Sequence, residues 1–183
     1  LHTACRQVAS WRAQGLPKFR IAVNISPLHF QDPTLLDSVA EVLRETGLHP
    51  SDLELEITET VVQTTGDNMR MFERLRTMGV QIAIDDFGTG YSSLSYLKRF
   101  PIDILKIDRS FVTDAPANRD DQEIIKTIIS MARNLNLHTV AEGVETQSQL
   151  DYLRQIECLE AQGFLFGKPL PADVISQLLL QEP

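Results

Sequence analysis

Asn24, Glu56, Asp85 with Asp86, Lys106, Glu142 and Gln162 each stand near the C-terminal end of a short β-rich run. Side chains alternate faces along a strand, so parity tests whether such residues can share one side. Ala22 and Asn24 share a face, as do Glu54 and Glu56, Ala83 and Asp85, Ile104, Lys106 and Asp108, and Val140 and Glu142. The opposite set in each run is largely aliphatic. The pattern predicts a polar crown of Asn24, Glu56, Asp85, Lys106, Glu142 and Gln162, with Asp86 just beyond its strand end. So many carboxylates in one cavity repel one another unless cations bind between them. Oxygen ligands without His or Cys suit Mg2+ or Mn2+ better than Zn2+. Adjacent Asp85 and Asp86 can serve two ions, one shared and one private. Two ions about 3.5–4 Å apart would clamp a phosphodiester and activate water for in-line attack. Lys106 would stabilise the developing charge or hold that water. A single strand-end carboxylate is more often a turn former or helix cap than a ligand, so the set carries the reading. Glu54 and Asp103 read as plain surface or capping residues.

The elements that must position this crown read as six strands, Arg20 to Ser26, Leu53 to Thr58, Val80 to Asp86, Ile104 to Asp108, His138 to Glu142 and Cys158 to Phe164. Each is followed by an amphipathic helical pattern or by the chain's end. Helix starts are signalled by Asp32 before Pro33, by Ser92 or Ser93, and by Thr146 with Gln149 as a capping box; Gly47 and Gly79 read as stops. Regular alternation without a linker predicts a parallel sheet with helical crossovers in a single domain. An open sheet would use only the strand ends near its switch point, whereas a closed barrel brings all of them round one mouth. The crown therefore favours a (β/α)8 TIM-type barrel. Such a barrel typically needs ~250 residues, and six units fill these 183, so the expectation is an incomplete barrel spanning 1–183. Leu1, Ala4, Cys5, Val8 and Trp11 lie at helical spacing with no preceding cap, which puts the expected missing strands at the front.

The 25 acidic against 17 basic residues give a formal charge of -8, which argues against a grip on a nucleic-acid polymer. Cys5 and Cys158 form neither a Cys-x-x-Cys pair nor a disulfide framework and read as reduced, buried thiols. No apolar run approaches the ~20 residues of a membrane span and no signal peptide opens the chain, so the expected location is cytoplasmic, with any membrane anchor in domains outside it. His2, His29, His49 and His138 make no metal-binding spacing. Asp86-Phe87-Gly88 matches a kinase magnesium motif, but no glycine-rich nucleotide loop or His-Arg-Asp loop accompanies it in order.

At these residues the sequence resembles the EAL domain family of bacterial phosphodiesterases that open cyclic di-GMP to linear pGpG. The resemblance runs through 23–26 (VNIS), 54–59 (ELEITE), 85–94 (DDFGTGYSSL), 106–111 (KIDRSF), 141–145 (AEGVE) and 162–170 (QGFLFGKPL). It implies two Mg2+ or Mn2+ ions. Asn24, Glu56 and Asp85 match ligands of the first; Asp85, Asp86 and Glu142 match the shell of the second. Lys106 matches the lysine that contacts the catalytic water, and Gln162 the glutamine that orients it. Glu59 resembles the glutamate that anchors the loop from Phe87 to Leu94, which the family links to dimerisation; Glu145, Asp108 and Ser92 are read as supporting residues. The Glu-Ala-Leu motif that names the family is absent and would sit upstream of Leu1. The implied partners are cyclic di-GMP, a second copy of the chain, and attached sensor or cyclase domains. The alternative is a non-catalytic cyclic di-GMP receptor, though receptors of that kind usually show substitutions in the crown and none is visible.

Overall fold

The computed structural model describes residues 1–64, 69–90 and 94–181; Ser92 and Ser93 lie outside them. In chain order the elements are α1 (His2–Ala13), β1 (Ile21–Asn24), α2 (Pro27–Gln31), α3 (Leu35–Thr46), a short 3-10 turn (Pro50–Asp52) and β2 (Leu53–Thr58). There follow α4 (Glu59–Thr64), α5 (Met69–Met78), β3 (Gln81–Phe87), α6 (Leu94–Arg99), β4 (Ile104–Ile107), α7 (Arg109–Asp114) and α8 (Arg119–Asn134). β5 (His138–Ala141), α9 (Gln147–Gln155), β6 (Glu160–Ala161) and α10 (Ala172–Gln181) complete the chain. All strand pairs are parallel and the spatial order is the chain order, β1 to β6. The architecture is that of an incomplete TIM-type barrel, with each strand returned to its neighbour's start by helices.

Parity separates the two faces of the sheet. Leu53, Leu55 and Ile57, Ile82 and Ile84, and Leu105 and Ile107 join one hydrophobic core with Val39, Val42, Phe72, Leu75, Ile125 and Ile129 of the helices. Ala83 and Ile104 are equally buried but stand outside that cluster, on the face that carries Asp85 and Lys106. β2 and β4 are buried along almost their whole length, and the charged Glu54, Glu56 and Lys106 within them are buried with them. Phe72 packs between Phe30 and Phe100 at ring separations of 4.8 and 4.7 Å, tying α2, α5 and the approach to β4 together.

Local signals explain most boundaries. Gly47 closes α3 at φ 66°, a left-handed conformation that costs glycine least. Thr146 and Gln149 form the expected capping box on α9. Three expectations need correction. The Asp32 start is displaced: α3 begins at Leu35, and the Asp32 carboxylate instead accepts from Thr34 N and Oγ1 at 2.8 and 2.7 Å. Before it, Ser26 caps the unforeseen α2 with Pro27 in its first turn. The last strand is only Glu160–Ala161, because at Gln162 the chain turns to pair with the loop after β5 through Val144 N to Gln162 O at 3.0 Å.

The sheet curves until its edges meet a common residue. Arg20, just before β1, bonds Glu54 at 2.7 Å, Gln81 at 2.6 Å and Glu160 at 3.1 Å, so one guanidinium spans the starts of β2, β3 and β6. Glu54 is therefore no surface residue: it is 4% exposed, and burial pushes its carboxyl up against the opposing pull of Arg20. Asp103 accepts from Ile82 N at 2.9 Å, a capping contact between β3 and the start of β4. Outside the sheet, Trp11 of α1 donates its indole N–H to Ser176 of α10 at 2.5 Å. Among the described residues no helix is long and apolar enough to cross a membrane.

Candidate active site

Glu56, Asp85, Lys106 and Glu142 converge from the C-terminal ends of β2, β3, β4 and β5. The Lys106 ammonium, 3% exposed, lies 2.5 Å from Glu56, 2.5 Å from Glu142 and 3.5 Å from Asp85. A parallel sheet places successive strand ends side by side, and Asn24 lies opposite Glu56 in register as Lys106 lies opposite Val140. Burial disfavours the charge on Lys106, but its hydrogen bonds to Glu142 and Glu56 outweigh it and hold the ammonium well above its ordinary range. Glu142 is pushed up to about 7, first by burial and then by the charge and hydrogen bond of Asp85, with Lys106 pulling the other way.

Asp86 does not lie beyond the strand end, as parity suggests, but inside β3. Ile84 pairs with Leu105 and Phe87 with Ile107, so Asp85 and Asp86 together face Lys106 across a β-bulge. Asp86 takes φ 53° there, a left-handed backbone rare for a residue other than glycine. The bulge lets neighbouring side chains serve the same end of the sheet, which regular alternation forbids. Burial and the charges of Asp85 and Asp108 raise the Asp86 carboxyl. Asp108 goes the other way: burial raises it, but the Ser110 hydroxyl and backbone, and Asp86, outweigh that. Its carboxylate caps α7 through Ser110 N at 2.9 Å and also accepts from the Ser110 hydroxyl.

The remaining crown residues stand apart. Asn24 is exposed and lines a cavity of about 260 Å³ with His2, His29 and Asp32. Gln162 is exposed, its backbone N–H held by Ala141 O at 2.8 Å, and no side-chain bond joins it to Lys106 or the carboxylates. Glu145 is exposed at the start of the α9 cap. Glu59, 4% exposed at the start of α4, accepts from Gly88 N at 3.4 Å, and a Cβ on Gly90 would press on its carboxylate at 3.3 Å. Two contacts escaped the sequence reading. Gly143, at φ 69°, lies so close to Arg109 that a Cβ would overlap that side chain, and Gly163 rests on the Val144 backbone. The glycine within Glu142-Gly143-Val144 was the available signal.

The donor set fits a hard divalent cation. Asp85, Asp86 and Glu142 can each offer one carboxylate oxygen, all within 4.8 Å of one another, and no sulfur or imidazole joins them. The neighbouring ammonium shows that these carboxylates draw positive charge into the mouth.

The EAL domain model matches residues 1–169. Cyclic di-GMP phosphodiesterase NbdA of Pseudomonas aeruginosa is 46% identical over 180 residues, covering 98% of this chain and 23% of its own length. The PaMucR phosphodiesterase in complex with c-di-GMP superposes with a TM-score of 0.90 at 46% identity, over 95% of this chain and 71% of that one. Klebsiella pneumoniae BlrP1 in a manganese/cy-diGMP complex superposes with a TM-score of 0.84 at 34% identity, over 92% and 43%. The chain spans about a quarter of the length of the curated relatives it matches. With strand order, bulge and carboxylate mouth accounted for, and the family match running over nearly all of its length, this chain belongs to the EAL domain family.

Proposed function

We propose that the chain carries the catalytic face of a phosphodiesterase that opens cyclic di-GMP to linear pGpG with two Mg2+ or Mn2+ ions. The observation that carries this reading is the buried Lys106 ammonium among Glu56, Asp85 and Glu142, with Asp86 brought alongside by the bulge. Asn24, Glu56 and Asp85 would hold one ion, and Asp85, Asp86 and Glu142 the other. Such ions polarise the phosphodiester and offset the charge that builds on it. Lys106 keeps its proton and so acts as a donor, fixing the two carboxylates on either side and aiming an N–H at the mouth, where charge develops. Gln162 stands at the rim to orient water. Glu59 acts on the loop after β3, with Ser92 further along it, while Asp108 and Glu145 support neighbouring segments. A homodimer accompanies this reading, as the family resemblance implies. So do a cytoplasmic location and attached sensor or cyclase domains, the named relatives being much longer chains.

The test is hydrolysis of cyclic di-GMP by the full-length protein with Mn2+, with pGpG identified as product, beside Asp85→Asn. Loss of turnover in the variant is expected, because the shared carboxylate is gone. Activity retained within about tenfold would overturn the two-ion assignment.

A further inference from the structure

Past Ala141 the segment that carries Glu142 leaves the sheet, and its hold on the rest of the molecule becomes visible bond by bond. On the inner side Glu142 N donates to Ile107 O at 3.1 Å, Val144 N to Gln162 O at 3.0 Å, and Leu165 N to Val144 O at 3.0 Å. On the outer side a single side chain does the work. Gln149, 6% exposed, accepts from Glu145 N at 2.7 Å and Thr146 N at 2.9 Å, and donates Nε2–H to Thr113 O of α7 at 3.1 Å. A capping box requires only the bonds between Thr146 and Gln149. The bonds to Glu145 N and Thr113 O go beyond it and join two different crossovers.

Those crossovers bear on the mouth. α7 begins at Arg109, directly after Asp108, whose carboxylate stands near Asp86 and repels its charge. Gly143, directly after Glu142, is pressed against Arg109 without room for a Cβ. The same two segments are thus closed at their inner ends by van der Waals contact and at their outer ends by Gln149. A buried amide satisfied on both of its functional atoms is a rigid spacer, since breaking either bond leaves a buried polar group unpaired. We propose that Gln149 is a positioning residue: by linking the Glu145–Thr146 turn to Thr113, it sets the distance between the segments bearing Glu142 and Asp108, and with it the reach of Glu142 toward Lys106 and a divalent cation.

The metal arm of the test rests on the proposed function; the other arm does not. In the full-length protein, Gln149→Met removes every side-chain bond, whereas the isosteric Gln149→Glu keeps the acceptor and sets an oxygen against Thr113 O. Thr146→Ala is the control, removing the capping hydroxyl while leaving the three Gln149 bonds. Both Gln149 variants should weaken Mn2+ binding, read by electron paramagnetic resonance, and lower kcat, each by about tenfold or more, with little change in KM. Thr146→Ala should lower thermal stability without either effect. In metal-free protein, amide exchange at 142–146 should accelerate about tenfold in the Gln149 variants while other loops hold their rates. Gln149 variants that behave like Thr146→Ala, or whose exchange rises uniformly, would overturn the proposal. Wild-type protein that neither binds Mn2+ nor cleaves cyclic di-GMP would sink the phosphodiesterase reading instead, and the exchange arm would still decide the role of Gln149.

Discussion

Lys106 and Glu142 are bonded to each other, yet they respond to pH in separate windows. Glu142, pushed up to about 7 by burial and Asp85, stands above its unfolded value of about 4.3. A carboxyl raised in this way stabilises the folded chain fully below the unfolded value, and the contribution is lost as pH climbs through the folded one. Lys106 is also raised, so its contribution is full below about 10.4 and constant over that range. Asp108, held low, contributes above its unfolded value and loses only in acid. In urea unfolding of metal-free protein, wild type should therefore lose stability relative to Glu142→Gln between about pH 4.5 and 7.5, and Mn2+ should restore it at the upper end. Parallel curves for the two proteins would show that Glu142 is not raised.

At the scale of one strand, the bulge in β3 separates strain from chemistry. Asp86 holds a left-handed backbone that costs a non-glycine residue roughly 1 kcal/mol or more. Asp86→Gly should accordingly stabilise metal-free protein by up to about 1 kcal/mol while weakening Mn2+ binding. A variant less stable than wild type would mean that the contacts of the Asp86 side chain outweigh the strain. The sequence made the strands legible because each has one aliphatic face, and parity alone gathered Glu56, Asp85, Lys106 and Glu142. The bulge was not legible, because an inserted residue leaves composition unchanged and shifts only the register. Gln162 was placed at the end of an expected strand, Cys158 to Phe164, that in fact ends at Ala161, since the Gly163 contact with Val144 redirects the chain. Glu54 was misread for the opposite reason: its partner Arg20 lies outside β2, and no local pattern announces a pairing over that distance.

Across the whole molecule, Arg20 holds together what the sheet's hydrogen bonds leave apart. Its bonds to Glu54 and Glu160 join β2, beside one edge strand, to β6, the other edge, and Glu54 is too buried to be left unpaired cheaply. Arg20→Met should lower stability by about 3 kcal/mol, the cost of stranding a buried carboxylate, and should speed amide exchange in β1 and β6 more than in β3 and β4. Equal exchange across all six strands would show that the guanidinium serves only as a local partner for Glu54.

The ordering of the sheet bears on how the molecule is made. Because every strand pairs with the one before it, each new unit can dock on a surface already formed, and the entropic cost of each closure stays that of a short loop. Growth along the chain can then follow synthesis from the ribosome, unit after unit, without long waits for distant partners. Arg20 is the exception. It is translated just before β1, acquires Glu54 and Gln81 early, and reaches Glu160 only when β6 emerges 140 residues later. Until then its third bond goes to water, so the contact between β6 and the start of β1 forms after the five strands before β6 have paired, and gentle destabilisation should reverse it before the pairing of β2 with β3.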